Sequence, residues 1–352
     1  MTSIESGLIA SLSALISGAD NVAITTHMHP DGDALGSSLG LLRYLAAAGK
    51  NAVIVLNDRY PDSLAFLAGD DRDSIVIHEE NPEAAASAIN SADLLFCLDM
   101  STFDRAENLK DMLERRSCTK VLVDHHLNPD SGRFSLVFSD TDISSTSELL
   151  YYILKAMPGT DGDAGKLPKK GAEALLAGMT TDTNNFSNSV YPSTFMMASE
   201  LLAAGIDRDA IIASLYTNYR ENRFRLMGRL LSENMVVTDF GVAYMIVDRT
   251  MAGKYDIREG ETEGFVNIPL GIDCVRMSLL LKEEEDRFRV SVRSKKGTSA
   301  NRCAALYFNG GGHELASGGK LFKGKDLPEG TAAEAARLVE ARTMEFLKNE
   351  ER

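Results

Sequence analysis

The stretch Val22-Ala23-Ile24-Thr25-Thr26-His27-Met28-His29-Pro30-Asp31-Gly32-Asp33-Ala34-Leu35-Gly36-Ser37 passes from an apolar, β-branched segment, through a turn crowded with histidine and aspartate, into a helical pattern. Apolar runs of the same kind recur at 52–56, 74–77, 94–98 and 120–123, separated by helix-length segments. Continuous rather than alternating apolar runs predict strands covered on both faces, the texture of a parallel sheet between layers of helices. The N-terminal half is therefore expected to be α/β, a doubly wound and mostly parallel sheet. Such sheets place their sites at the C-terminal ends of the strands, where this His/Asp turn falls.

Working outward, the texture changes after about residue 195. Helical patterns run to 233, with Leu201, Leu202, Ile211, Ile212, Leu215, Leu226, Leu230 and Leu231 as apolar positions. Strands are expected at 243–247, 276–281 and 287–293, before a closing helix at 332–347. The chain thus reads as an α/β domain at 1–195, a helical connector at 196–235 and a smaller α+β domain at 236–352. Residues 1–20 read as an amphipathic first helix and 158–165 as an exposed loop. Lys282-Glu283-Glu284-Glu285-Asp286 reads as a solvated hairpin turn, because like charges at that density resist burial.

The 352 residues, 44% hydrophobic, leave ample material for two cores. Lys+Arg number 37 against 51 Asp+Glu, a formal net charge of −14 that disfavours generic coating of a long polyanion. Cys97, Cys118, Cys274 and Cys303 form no Cys-x-x-Cys pair, so neither a zinc knuckle nor a disulfide framework is expected, and a reducing cytoplasm fits. No window reaches the ~18 continuous apolar residues that span a bilayer. Glu5 stands where a secretory signal carries Lys or Arg, so export is not expected.

Polar clusters stand at four element ends: His27 to Asp33, Asp99, Asp124-His125-His126 and Thr181-Asp182-Thr183. Each alone has a structural explanation, since Asp31-Gly32-Asp33 suits a helix N-cap and Asp182 the cap of the turn after its helix. Four clusters converging on one edge favour a metal site. Asp31, Asp33, Asp99 and Asp182 in one crevice would not all ionise without cations, and two divalent ions would neutralise them. Carboxylates and imidazoles without a thiolate suit Mn²⁺, the first choice, or Mg²⁺. Two such ions lower the pKa of a bridging water and clamp the attacking and leaving oxygens of a phosphoryl group, so phosphate ester hydrolysis is the implied reaction.

In this order the clusters, with Arg105 accompanying Asp99, resemble the four motifs of the DHH phosphoesterases. Asn309-Gly310-Gly311-Gly312-His313-Glu314-Leu315-Ala316-Ser317-Gly318-Gly319 resembles the glycine-rich signature of the DHH-associated C-terminal domain. The resemblance covers nearly the whole chain and points to the oligoribonuclease and 3′-phosphoadenosine 5′-phosphate (pAp) phosphatase branch. It implies His27 and Asp31 on one cation, Asp33, His125 and Asp182 on the other, and Asp99 bridging both. It further implies that Asp124 orients a histidine of its own motif, that His126 contacts the phosphate and assists the leaving oxygen as an acid, and that Arg105 binds a substrate phosphate. The implied substrates are short RNA oligonucleotides cut from an end and pAp-like phosphorylated nucleotides; a stable complex with long nucleic acid is not expected, and a homodimer is left open. Three positions depart from the family: His29 where Asn is usual, Asn184 where Gly is usual, and Ser317 where Ala is common. His29 is read as a hydrogen-bonding support ahead of an added ligand.

Residues 287–325 hold nine cations against Glu314 alone. Arg287, Arg289, Arg293 and Lys295 alternate with Phe288, Val290 and Val292, so on a strand they form a basic stripe backed by a core. Gly310, Gly311 and Gly312 would let backbone N–H groups approach a phosphate. Arg293, Arg302 and His313 are expected to reach a nucleotide held between the two domains. The alternatives are a cyclic or linear dinucleotide phosphodiesterase, a pyrophosphatase or exopolyphosphatase, a single-strand DNA exonuclease, and a nucleotide-binding sensor without turnover.

Overall fold

A computed structural model describes residues 4–217 and 219–350. Those up to 217 pack as one compact unit and those from 219 as another.

The first unit runs α1 (Ser6–Gly18), β1 (Asn21–Thr25), α2 (Gly32–Ala47), β2 (Asn51–Leu56), α3 (Ala65–Ala68), β3 (Ile75–Ile77), α4 (Pro82–Ser91), β4 (Leu94–Leu98), α5 (Lys110–Arg115), β5 (Thr119–Asp124), β6 (Leu136–Ser139), α6 (Thr146–Ala156), α7 (Lys169–Asp182), α8 (Pro192–Ala203) and α9 (Arg208–Tyr216). Residues 1–3 of the expected first helix lie outside the described range. The six strands order as β3-β2-β1-β4-β5-β6 and all pair in parallel, with Val22 opposite both Ala52 and Leu94. This is the doubly wound α/β sheet read from the apolar runs. Its strand order reverses between β1 and β4, which opens a crevice at their C-terminal ends.

Burial on both faces explains why the strands read as continuous apolar runs. Along β4, Leu94, Phe96 and Leu98 enter one core while Leu95 and Cys97 enter the other. The first core gathers residues of α1, α2, α6 and α7, the second those of α4 and α5. Helices α2 and α7 cross where a Cβ on Gly36 would lie 2.6 Å from Ala174 O and 2.9 Å from Gly178 Cα. That backbone contact brings the first turn of α2 to the last turn of α7.

The residues read as a separate connector are shared between the two units. Met197, Leu201, Ile211 and Leu215, from α8 and α9, complete the first core, whereas Leu226 and Leu230 join a core of the second unit.

The second unit runs α10 (Glu221–Arg229), β7 (Val236–Val237), β8 (Val242–Val247), α11 (Arg249–Lys254), β9 (Met277–Glu283), β10 (Arg287–Ser294), α12 (Ala300–Tyr307), β11 (Gly311–Gly312), β12 (Ala316–Phe322) and α13 (Ala332–Glu350). Its mixed sheet orders as β11-β12-β10-β9-β8-β7, with only β8 and β9 parallel. Phe288, Val290 and Val292 pack with Cys303 and Phe308 of the α12 region and with Val339 and Phe346 of α13. The 282–286 run does close a β9–β10 hairpin, yet its charges are paired rather than simply solvated: Lys282 with Glu259, Glu283 with Lys323 and Glu284 with Arg287. All four cysteines are free thiols. Among the described residues no helix is long and apolar enough to cross a membrane.

Candidate metal centre

His27 follows β1 directly. Its Nδ1 lies 2.8 Å from Met28 O, so Nδ1 carries hydrogen and Nε2 is turned to Asp99 Oδ2, 3.3 Å away, and Asp31 Oδ1, 4.0 Å away. Burial favours the neutral ring, but the hydrogen bond to Asp99 together with the charges of Asp31 and Asp99 outweighs it and holds the His27 pKa above its ordinary value. Asp31 does cap α2, accepting from Asp33 N and Ala34 N at 3.0 Å each through Oδ1. The capping interaction orients the carboxylate within the same group as His27 and Asp99.

Asp33, in the first turn of α2, is buried with its carboxylate on the first turn of α6. Oδ2 accepts from Thr146 N at 2.7 Å and Oδ1 from Ser147 N at 2.9 Å. A helix N-terminus favours an anion there. Burial, followed by the charges of Asp99, Asp182 and Asp31, nonetheless pushes its pKa well above the carboxylate range. This is the crowding that cations relieve.

Asp99 ends β4 at φ 57, a left-handed conformation that Asp and Asn tolerate better than other side chains. Its amide donates to Val123 O, Thr146 Oγ1 donates to its Oδ1 at 3.0 Å, and Arg105 Nη1 donates to its carbonyl at 3.3 Å. Burial opposes ionisation of Asp99, yet the hydrogen bond from His27 and the charges of His126, His27 and His125 drive its pKa down. His125 Nε2 lies 3.4 Å from Asp182 Oδ2, 3.6 Å from Asp99 Oδ1 and 3.9 Å from Asp33 Oδ2. Burial lowers the His125 pKa, which keeps the ring in the neutral form that ligates metals. His126 Nδ1 lies 2.9 Å from Asp124 Oδ1. Asp124 is itself pushed up to about 7, by burial first and by the charge of Asp99 second.

His27, Asp31 and Asp99 thus present one set of ligand atoms within 4.8 Å of one another, and Asp33, His125 and Asp182 a second; Asp99, Asp124 and His126 form a third. Oxygen and imidazole donors, crowded acids and a neutral buried histidine fit divalent cations. His29 faces the other way: its N–H and Nδ1 lie 2.8 and 2.7 Å from the two oxygens of Asp58 at the end of β2.

The sequence reading missed the turn 144–148. Ser145 Oγ accepts from Glu148 N, while the buried Glu148 accepts from Ser144 N at 3.2 Å and Thr194 Oγ1 at 2.8 Å. That turn aims Thr146 and Ser147 at Asp33 and Asp99. Its signal was Ser145-x-x-Glu148 ahead of Leu149-Leu150, a capping box. Asn184, at φ 46, takes the left-handed conformation for which glycine is usual.

In the second unit four of the nine cations at 287–325 pair with acids that lie outside that segment. Arg287 meets Glu284, Arg289 meets Glu259, Lys323 meets Glu283, and the exposed Arg302 meets Glu350 Oε1 at 2.6 Å. Arg293 Nη1 donates to Val292 O at 3.0 Å. Gly311 and Gly312 pair with Gly318 and Ser317, and His313 N donates to Ala316 O at 2.8 Å. Ser317 Oγ closes this turn by donating to His313 O at 2.8 Å.

The DHH family, N-terminal domain, matches residues 21–179. A Thermus thermophilus protein named bifunctional oligoribonuclease and PAP phosphatase NrnA is 31% identical over 315 residues, 88% of this chain and 86% of that one. A Bacillus subtilis protein of the same name is 28% identical over 311 residues, 87% and 91% of the two chains. The crystal structure of an exopolyphosphatase-related protein from Bacteroides fragilis matches with a TM-score of 0.89 and 34% identity over 100% of both chains. Motif order, strand order and full-length similarity agree that this chain belongs to the DHH family of phosphoesterases.

Proposed function

We propose that the chain is a divalent-metal-dependent phosphoesterase that hydrolyses short oligoribonucleotides from an end and pAp-like nucleotides, with Mn²⁺ ahead of Mg²⁺ as its cation. The observation that carries this reading is the pair of three-residue ligand groups at one sheet edge, with Asp99 of the first 3.6 Å from His125 of the second. The substrates are supported by the names of the two NrnA relatives.

His27 and Asp31 would hold one cation, Asp33, His125 and Asp182 the other, and Asp99 both. When bound, the cations supply Lewis acidity toward a phosphoryl group. Asp124 Oδ1 fixes the His126 ring through Nδ1, so a proton given to the leaving oxygen would come from Nε2 of the doubly protonated ring, which is left neutral. Arg105 braces the Asp99 turn through Nη1 and offers further guanidinium N–H groups to a substrate phosphate. From the second unit, Arg293, His313 and the Gly310–Gly312 backbone are assigned to substrate contacts; Arg302 contributes only when its pair with Glu350 opens. Free thiols support a cytoplasmic location.

The deciding experiment incubates the protein with Mn²⁺ or Mg²⁺ and, side by side, pAp, a labelled ribotrinucleotide, a cyclic dinucleotide and pyrophosphate. Stepwise mononucleotide release together with pAp turnover is expected, and both are lost in Asp99→Ala. Turnover of pyrophosphate or the cyclic compound alone would move the substrate, and silence across all four would point to a binding protein without turnover.

A further inference from the structure

Asn57 follows β2 directly and is fully buried, at the end of an apolar run that an aliphatic side chain would continue equally well. A polar side chain in such a place is costly unless its groups are paired, and here both are. Oδ1 accepts from Asn108 N at 3.2 Å, and Nδ2 donates to Asp58 Oδ1 at 3.3 Å, the oxygen that also accepts His29 N at 2.8 Å. The backbone N–H of Asn108 only donates, which fixes the orientation of the amide. The carbonyl of Asn57 accepts Glu79 N at 3.1 Å, so this bracket is anchored beside the sheet. It joins the turn that carries His27 and Asp31 to the segment 103–109.

That segment carries Arg105. The Arg105 carbonyl accepts Met28 N at 2.7 Å, Nη1 donates to Asp99 O at 3.3 Å, and the guanidinium charge acts on His27, Asp124 and His125. The guanidinium therefore stands at the metal centre. Two residues on, Glu107 lies at φ 44 and ψ −105, a conformation that a residue other than glycine keeps only where its surroundings impose it. The next amide along the chain is the one that Asn57 holds. Arg105 is thus fixed from both sides of this strained residue, by Met28 before it and by Asn57 after it.

We propose that Asn57 is a positioning residue, which through Asn108 sets the Arg105 guanidinium where it meets a substrate phosphate. This rests on the assignment of Arg105 to that phosphate and adds the residue that makes the assignment work. The test is a double-mutant cycle with Mn²⁺ and pAp or the ribotrinucleotide, comparing the unaltered protein, Asn57→Ala, Arg105→Ala and the double variant, with the Mn²⁺-induced rise in melting temperature as a second readout. Asn57→Ala should raise KM by about tenfold, with kcat within about threefold and the Mn²⁺ response kept. In the Arg105→Ala background the same change should alter KM by less than about twofold, because the group it positions is gone. If Asn57→Ala does not fold, Asn57→Ser is judged by the same cycle. An unchanged KM in a folded Asn57 variant, effects of the two changes that multiply as independent losses do, or a lost Mn²⁺ response would each overturn the inference. If Arg105→Ala alone left KM unaltered, the assignment of Arg105 to a phosphate would fall, and this inference with it.

Discussion

Thr146 Oγ1 donates to Asp99 Oδ1 across 3.0 Å, and the amide of the same residue donates to Asp33 Oδ2 across 2.7 Å. One residue at the start of α6 thus sets the separation of two carboxylates carried by α2 and β4. Thr146→Val keeps the branched shape and the amide while deleting the hydroxyl. Divalent cation affinity, read by calorimetry, should fall by about tenfold or more, as when a hydrogen-bonded support of a ligand is removed. Thr146→Ser should restore most of it. Unaltered Mn²⁺ affinity in Thr146→Val would show that the hydroxyl is only filling a buried polar gap.

Asp99 is the residue assigned to both cations, so Asp99→Ala should be the most damaging single change. Alanine at φ 57 also adds backbone strain. Asp99→Asn separates the two effects, because asparagine tolerates this conformation and lacks only the charge. The Asn variant should fold with a melting temperature close to that of the unaltered protein in the presence of a chelator. It should gain little on adding Mn²⁺ and lose hydrolysis by about three orders of magnitude or more. Hydrolysis within tenfold of the unaltered protein would remove Asp99 from its bridging role.

The strands of the first unit are legible because burial on both faces forces long apolar runs, and the His/Asp clusters are legible because they stand where those runs stop. The four residues of β6, between Ser135 and Asp140, are too few to register as such a run. The turn 144–148 looks in sequence like any capped helix start; its meaning lies in Asp33, 113 residues away, which no local pattern reveals. Part of the basic segment's charge balance is hidden for the converse reason. Glu259 and Glu350, far along the chain, reach Arg289 and Arg302 only through the fold, while Glu283 and Glu284 stand just before the segment and meet Lys323 and Arg287.

Without cations the centre should make stability depend on pH. Asp124, pushed up to about 7 by burial and by Asp99, and Asp33, raised well above the usual range by burial and three neighbouring acids, bind protons in the folded state that they release near pH ~4 when unfolded. Their protonated forms favour folding at acid pH, and that advantage is lost as pH rises through about 7. His27, raised chiefly by its bond to Asp99 against the effect of burial, has the same sign, whereas His125, lowered by burial, has the opposite sign. The melting temperature in excess chelator should fall between about pH 5.5 and 8, less steeply in Asp124→Asn, and saturating Mn²⁺ should flatten it by taking the place of the protons. A chelated protein whose melting temperature rose across this range would contradict the balance of these groups.

Two glycines in the second unit separate packing from recognition. A Cβ on Gly310 would lie 1.9 Å from Gly318 O and 2.6 Å from Gly319 Cα, so Gly310→Ala must push two backbones apart. It should lower the melting temperature by at least about 5 °C or prevent folding. A Cβ on Gly311 would meet nothing within 4 Å, and Gly311 is not among the positive-φ glycines, so Gly311→Ala should melt like the unaltered protein. If backbone N–H groups here cradle a substrate phosphate, the added methyl stands in the way of that approach. KM for the ribotrinucleotide should then rise by about tenfold with kcat little changed. An unchanged KM in a normally folded Gly311→Ala would mean that the glycine run exists to let β11 and β12 close on one another, and that the phosphate is held by side chains instead.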